Sequence, residues 1–415
     1  RGRPARVHRR LPAAPGARCG GHAGVSVHVA VRRSAGAGAV SEDSISSVAG
    51  ACGVGAAERK LKLPPSASYR LQAMKTTHPS ARNIETTSNN FDCIRILAAV
   101  AVLFSHHFAL TGQSEPSFFG LHSAGGIAVV IFFVISGYLV TSSWYNDPHF
   151  LRFSLRRILR IWPALVAVTV LTAYGLGTWV TELPKDDYVT HRATFDYLNI
   201  LRMRIHYVLP GVFEHNPYAR GVNGSLWTIP LEVRCYIVLA LVGLIGLLKN
   251  KNVLLVIVAG YIIFFISKSS ADITGTIHHG RELSAFFLAG TALYVLQPYW
   301  EQRPRLWIGT LAILTVISWW AGWKYTAVLI GLPLIIIYFG TRSTPIIRRI
   351  GRWGDPSYGI YLIAFPIQQT VILYTWPQLG FAGTLCLSLL ITTALAYASW
   401  HCIEKQALKF KPRKK

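Results

Sequence analysis

FDCIRILAAVAVLFSHH, residues 91–107, is an apolar run broken by one arginine and closed by two histidines. Extended to residue 110, it reaches the roughly 20 residues a helix needs to cross the hydrocarbon core of a bilayer. Arg95 and His106 stand eleven positions apart. At about 100° per residue that spacing returns to within roughly 20°, so the two share one helix face, about 16 Å apart along the axis. A charge and an imidazole on one stripe of a membrane helix are costly unless they face a polar interior, so the pair marks a candidate functional site. Neutral imidazole is the usual general base near neutral pH, which makes His106 the candidate base. A histidine satisfied by a neighbouring helix is the alternative, and His107 competes from the other side of the same helix.

The apolar pattern of this run recurs along the chain. Ten stretches approach spanning length: 91–110, 123–142, 158–180, 225–247, 252–268, 282–296, 305–322, 324–340, 358–376 and 381–400. The expected fold class is therefore all-α, a polytopic helical bundle of about ten transmembrane helices. The stretch 282–296 is short, and the pair within 305–340 has so little connecting loop that a re-entrant pair is an alternative. Basic residues gather in every second loop: Arg152, Arg156 and Arg157, then Lys249 and Lys251, Arg303 and Arg305, and Arg342, Arg348, Arg349 and Arg352. The loop 111–122 holds no Lys or Arg. Cytoplasmic loops carry the excess of Lys and Arg, so both termini are expected in the cytoplasm and the long segment 181–224 outside. That segment carries Asp186, Asp187, Glu214, His191, His206 and His215, which suits either contact with a hydroxyl-rich ligand or a plain solvated loop.

Composition agrees with a membrane protein: 52% of residues are hydrophobic and only 14% charged. The net charge of +24 lies mostly on the basic loops, the tail and the first 73 residues, so it implies contact with anionic lipid and no nucleic acid partner. The six cysteines, at 19, 52, 93, 235, 386 and 402, show neither CxxC pairing nor metal-ligand spacing, so no metal site and no disulfide framework is expected. Residues 1–73 are rich in Arg, Ala, Gly and Ser without a sustained apolar period and read as a disordered basic extension. The first methionine is Met74, where translation of the native protein is expected to start; a transit peptide is the alternative. Residues 74–90 then form a cytoplasmic lead, 91–404 the membrane domain and 405–415 a basic cytoplasmic tail.

Four further blocks carry polar residues into or beside the spans. In GGIAVVIFFVISGYLV, 125–140, the glycines suit close helix packing and Ser136 is placed to hydrogen-bond a ligand. In RFSLRRILRIWP, 152–163, Arg152, Arg156 and Arg160 recur every fourth residue as one basic stripe with Arg157 beside it. Guanidinium groups hold phosphate bidentately, so the stripe is a candidate site for the phosphates of a nucleotide-like donor, or an anchor on lipid phosphates. In NGSLWTIPLEVRCY, 223–236, Asn223 and Ser225 are cap-like and Pro230 kinks the helix. Glu232 there needs a cationic or hydrogen-bonding partner, for which Arg95 is a candidate. Asn223, Ser225 and Trp227 are the candidate substrate-binding residues. In GRWGDPSYGIYLIAFP, 351–366, Ser357, Tyr358 and Tyr361 line an inner mouth or belong to an aromatic belt.

Taken in order, these blocks resemble the membrane acyltransferase-3 family, whose bacterial members O-acetylate surface polysaccharides. The resemblance covers roughly 90–405 and rests on Arg95 and His106 at the family's R-x10-H spacing, GGIAVVIFFVISGY, RRILRIWP, NGSLWTIPLE and PSYGIYL. It implies acetyl-CoA, or another acyl-CoA, as a co-substrate supplied from the cytoplasm rather than a resident cofactor, and a carbohydrate or other hydroxyl acceptor. His106 would then be the catalytic base or a transient acyl carrier, Arg95 would orient the donor, and Glu232 would belong to the polar core. Arg152, Arg156, Arg157 and Arg160 would suit the CoA phosphates. A bacterial inner membrane is the location it implies. The chain departs from the family pattern at Ala364, where members often carry a histidine, and at Gln406, where a proline is frequent. The first departure argues against catalysis from the ninth span. Two other readings use the same residues: a transporter with Arg95, His106 and Glu232 as a coupling relay, and a non-catalytic member of the same fold.

Overall fold

The computed structural model describes residues 89–118, 122–271, 279–345 and 347–412. The expected basic extension 1–73 and most of the segment 74–90 lie outside the described residues. Among those described, the fold is all helical apart from one isolated bridge between Phe118 and His122. Ten longer helices follow in order: α1 Phe91–Leu110, α2 Ala124–Asn146, α3 Phe150–Val180, α4 Thr228–Leu244, α5 Lys251–Ala271, α6 His279–Val295, α7 Pro304–Trp320, α8 Lys324–Gly340, α9 Ser357–Thr375 and α10 Gly380–Ser399.

Six segments are long and apolar enough to cross a membrane: α1, α2, α3, α4 with the preceding 3-10 turn Gly224–Trp227, α5, and α10 with its extension to Leu408. The other four expected spans are helices too, but α6, α7 and α8 have only 17 residues each. In α9 the apolar run is diluted by Gln368 and Gln369, both fully buried. The expected 158–180 span begins eight residues early, at Phe150, because the arginine stripe stays helical. Asp147, at the C-cap of α2, accepts from Arg152 Nε at 2.9 Å and from Arg156, so those charges are matched where α3 begins.

Helices run alternately between two ends of the bundle, an arginine end holding Arg95 and a histidine end holding His106. α2 and α6 pack backbone to backbone in the middle. A Cβ placed on Gly137 would lie 1.9 Å from the Phe287 carbonyl oxygen, and one on Gly290 would lie 2.1 Å from that of Val134. Only glycine permits this approach, the means by which helices associate without a hydrophobic driving force. Thr141 Oγ1 meets Thr291 Oγ1 at 3.0 Å across the same seam. The core around it, with Phe133, Val134, Tyr138, Phe286 and Phe287, is buried. Large apolar side chains on the outer helices point outward instead, as Val256, Ile313 and Leu390 do at 61–71% exposure.

The segment 181–223 is a folded cap rather than a plain solvated loop. Tyr188, Tyr197, Leu209, Val212, Phe213 and Val222 form its own buried cluster with Ala173. Tyr188 donates to the Ala173 carbonyl at 2.5 Å. Burial and the loss of hydration push the Tyr188 phenol up to about 12. Gln369 ties α9 to the cap, donating to the carbonyls of Tyr218 at 2.8 Å and Gly221 at 2.6 Å.

Candidate active site

At the arginine end, Asp355 sits just before α9 and gathers two guanidinium groups. Arg160 donates to it at 2.7 Å and Arg95 approaches to 3.2 Å. Burial opposes ionisation of Asp355, but the two arginines outweigh it and hold the carboxyl down at about 2. Its other oxygen accepts from the Ser357 hydroxyl and the Ser357 amide, which starts α9. Arg95 also pairs with Asp92 one turn earlier, and Arg160 lies 3.9 Å from Glu404, in a π turn over Trp400–Glu404.

Beside this network lies a cleft of about 110 Å³ between α1, α2, α3, α4 and α9. Arg95, Ser136, Arg157, Arg160, Glu232 and Tyr358 line it, six of the expected site residues drawn from five helices. Glu232 accepts from Ser136 Oγ at 2.9 Å and from the Tyr236 hydroxyl. The expected Arg95 to Glu232 pair is replaced by these hydroxyls on one side and by Asp92 and Asp355 on the other. Arg157 lies over the Tyr236 ring at 5.8 Å, and Arg160 over Tyr358 at 5.9 Å. Arg152 and Arg156 are not among the residues lining the cleft; both are engaged by Asp147. Their hydrogen bonds, Arg152's first, hold the Asp147 carboxyl at about 2 despite its burial.

His106 stands three turns along α1 from Arg95, outside the cleft lining. Its ring meets Phe365 edge to face at 5.2 Å, and its Nδ1 is buried with no partner. Phe365 is one turn beyond Tyr361, a cleft residue, so α9 touches both the cleft and the imidazole. His107 is different. Gln368 donates to its Nδ1 at 3.1 Å, leaving Nε2–H to meet the Phe381 carbonyl at 3.1 Å and Thr384 Oγ1 at 3.0 Å.

Of the expected substrate-binding residues, Asn223 donates to the Leu362 carbonyl at 2.9 Å and accepts from the Ser225 amide, which caps the turn opening α4. The Ser225 carbonyl accepts from Tyr361 at 2.8 Å, while its buried hydroxyl has no partner. Trp227 packs against His279, ring centres 5.4 Å apart. Asp147 and Asp355 escaped the sequence reading. Their signal was scarcity: with 18 acids against 42 Lys and Arg, an acid at a span end beside basic residues is a candidate counter-ion.

The family model of the acyltransferase domain matches residues 88–401, which include all of these groups except Glu404. The chain is 35% identical over 337 residues to the O-acetyl transferase of Shigella phage Sf6, covering 77% of this chain and 96% of that one. It is 28% identical to nodulation protein 10 of Rhizobium leguminosarum bv. viciae, over 80% of this chain and 96% of that one. It is 27% identical to the peptidoglycan O-acetyltransferase OatA of Listeria monocytogenes, over 67% of this chain and 49% of that one. No solved structure matches. The chain belongs to this acyltransferase family and is a multi-pass membrane acyltransferase.

Proposed function

We propose that this enzyme moves an acetyl or other acyl group from acyl-CoA to a hydroxyl of an envelope or secreted glycan, with His106 as general base. The observation that carries the reading is the pairing of an arginine-lined cleft with an unpartnered imidazole nitrogen on the same face of α1, at opposite ends of the bundle. The arginine end faces the cytoplasm and receives the donor. All ten helices belong to the membrane domain in this reading, with both termini cytoplasmic, in a bacterial inner membrane. The names of the phage and Listeria relatives support an O-acetyl product.

Arg157 and Arg160 hold the donor's phosphates, and Arg95 orients it with Ser136 and Tyr358. Arg152 and Arg156 support them through Asp147. The acyl thioester points along α1 toward His106. The acceptor hydroxyl enters from the other end, past Asn223, Ser225 and Trp227. His106 takes the hydroxyl proton as the oxygen attacks the thioester carbonyl. The carbon–sulfur bond then breaks, the ester is released, and the proton passes to the departing CoA sulfur. A base placed at the attacking hydroxyl contributes typically about 10²–10⁴-fold. The apolar walls, Phe365 among them, keep water from the thioester.

The test uses membranes containing the protein, radiolabelled acetyl-CoA and envelope glycans, with His106→Ala as control. Alkali-labile label on glycan that depends on His106 is the expected result. Consumption of no acyl-CoA by the unaltered protein, or equal transfer by the alanine variant, overturns it. A transporter would move substrate without covalent product.

A further inference from the structure

We propose a carbohydrate-binding subsite at the histidine end, built by His122, Glu282 and Tyr325 and bordered by Trp227 and His279. Four elements begin there: α2 just after His122, the turn opening α4 at Trp227, α6 with Glu282 in its first turn, and α8 at Tyr325. The Glu282 side chain is 2% exposed and that of His122 9%. His122 Nε2 and Glu282 Oε1 lie 3.0 Å apart but out of line, and neither atom completes a hydrogen bond. The buried Tyr325 hydroxyl has no partner either, and its ring stands edge-on to His122 at 5.9 Å. Three polar atoms that complete no hydrogen bond thus converge, two of them at ion-pair distance from one another. A buried polar atom without a hydrogen bond is costly, so the arrangement suits a polar occupant that completes them.

The chemistry of the three groups selects the occupant. A carboxylate accepts, a phenol does both, and an imidazole nitrogen takes either role. Vicinal hydroxyls of a sugar, each donor and acceptor at once, match that set. Glu282 faces two histidines, His122 at 3.0 Å and His279 at 3.6 Å. Lys324, the nearest ammonium in sequence, turns over the Trp319 ring at 5.8 Å. The Trp227 and Tyr325 rings supply flat apolar faces for the sugar's C–H surface. Ser123, next to His122, lies 3.4 Å from Ser105, which precedes His106 on α1.

This inference rests on the acyl transfer to a glycan hydroxyl proposed above and names the residues that read the acceptor. Purified enzyme in liposomes is assayed with radiolabelled acetyl-CoA while the acceptor is titrated, using lipopolysaccharide-derived polysaccharide and soluble peptidoglycan fragments. Tyr325→Phe and Glu282→Gln are expected to raise the acceptor KM by about tenfold, the worth of one good hydrogen bond, with the donor KM kept. Tyr325→Phe removes a hydroxyl that has no protein partner, so its apparent Tm is expected to hold or rise. An unchanged acceptor KM, a parallel rise in the donor KM, or a fall in Tm for Tyr325→Phe overturns the subsite. Absence of transfer by the unaltered enzyme on both acceptors is a separate outcome, which overturns the acyltransferase mechanism and the subsite with it.

Discussion

His106 and His107 are neighbours in sequence and opposites in circumstance: both ring nitrogens of His107 are engaged, whereas Nδ1 of His106 is buried and unpartnered. His106→Ala is therefore expected to lose at least about 100-fold in transfer with the protein still folded and inserted, as a missing base dictates. His107→Ala removes one hydrogen bond each from Gln368, Thr384 and the Phe381 carbonyl and is expected to cost about 1–3 kcal/mol of stability. Label transfer and size-exclusion profiles separate the two; swapped phenotypes would reassign the base.

The arginines of α3 divide into two pairs with different expected phenotypes. Arg157→Ala and Arg160→Ala, which alter the cleft lining, should raise the acetyl-CoA KM by about tenfold or more, the loss of one charge-assisted hydrogen bond. Arg152→Ala should leave the donor KM within about twofold, because Arg156 still holds Asp147. Steady-state kinetics across a donor titration reads both, and equal KM values in all three would reject the division.

Asp355 binds two arginines, so its removal leaves Arg95 on Asp92 alone and Arg160 on the more distant Glu404. Asp355→Asn is expected to destabilise by about 3 kcal/mol, the scale for breaking a buried pair. The double variant with Arg160→Met should recover part of that loss, since it removes one uncompensated charge. Thermal unfolding in detergent of the two singles and the double gives the coupling; strict additivity would contradict the network.

Asp147 carries a pH signature. Its carboxyl is held at about 2 against an ordinary 3.8, so its contribution is complete above the unfolded value and is lost as pH falls through the folded one. The Tm advantage of the unaltered protein over Asp147→Asn should be constant from pH 7 to about 5 and then shrink toward pH 2. A gap that instead narrows between pH 7 and 5 would show that the carboxyl is not clamped.

Much of the fold was legible because a bilayer imposes a simple rule of length and apolarity. The first span falls on Phe91–Leu110 as expected; of the glycines in 125–140, Gly137 packs on α6 and Gly125 on Ser105 of α1, while Gly126 meets His122 and Ser123 beside it. The α3 start was misplaced because a charged stripe reads as loop until its counter-ion is known, and Asp147 becomes a partner only through the turn at 147–149. Ser136, Arg157, Arg160 and Glu232 share a cleft with Arg95, yet no pattern revealed that Glu232 would take hydroxyls and Arg95 a carboxylate 260 positions away. The His122 and Glu282 meeting was equally invisible, since those residues are joined only by the packing of α2 against α6.

The Gly137 and Gly290 contacts have a mechanical consequence. With each backbone seated against a carbonyl of the other helix, α2 and α6 have no room to slide or roll past one another without a collision. The pair acts as a keel. Rearrangement elsewhere in the bundle must then take place around it, while the keel stays still.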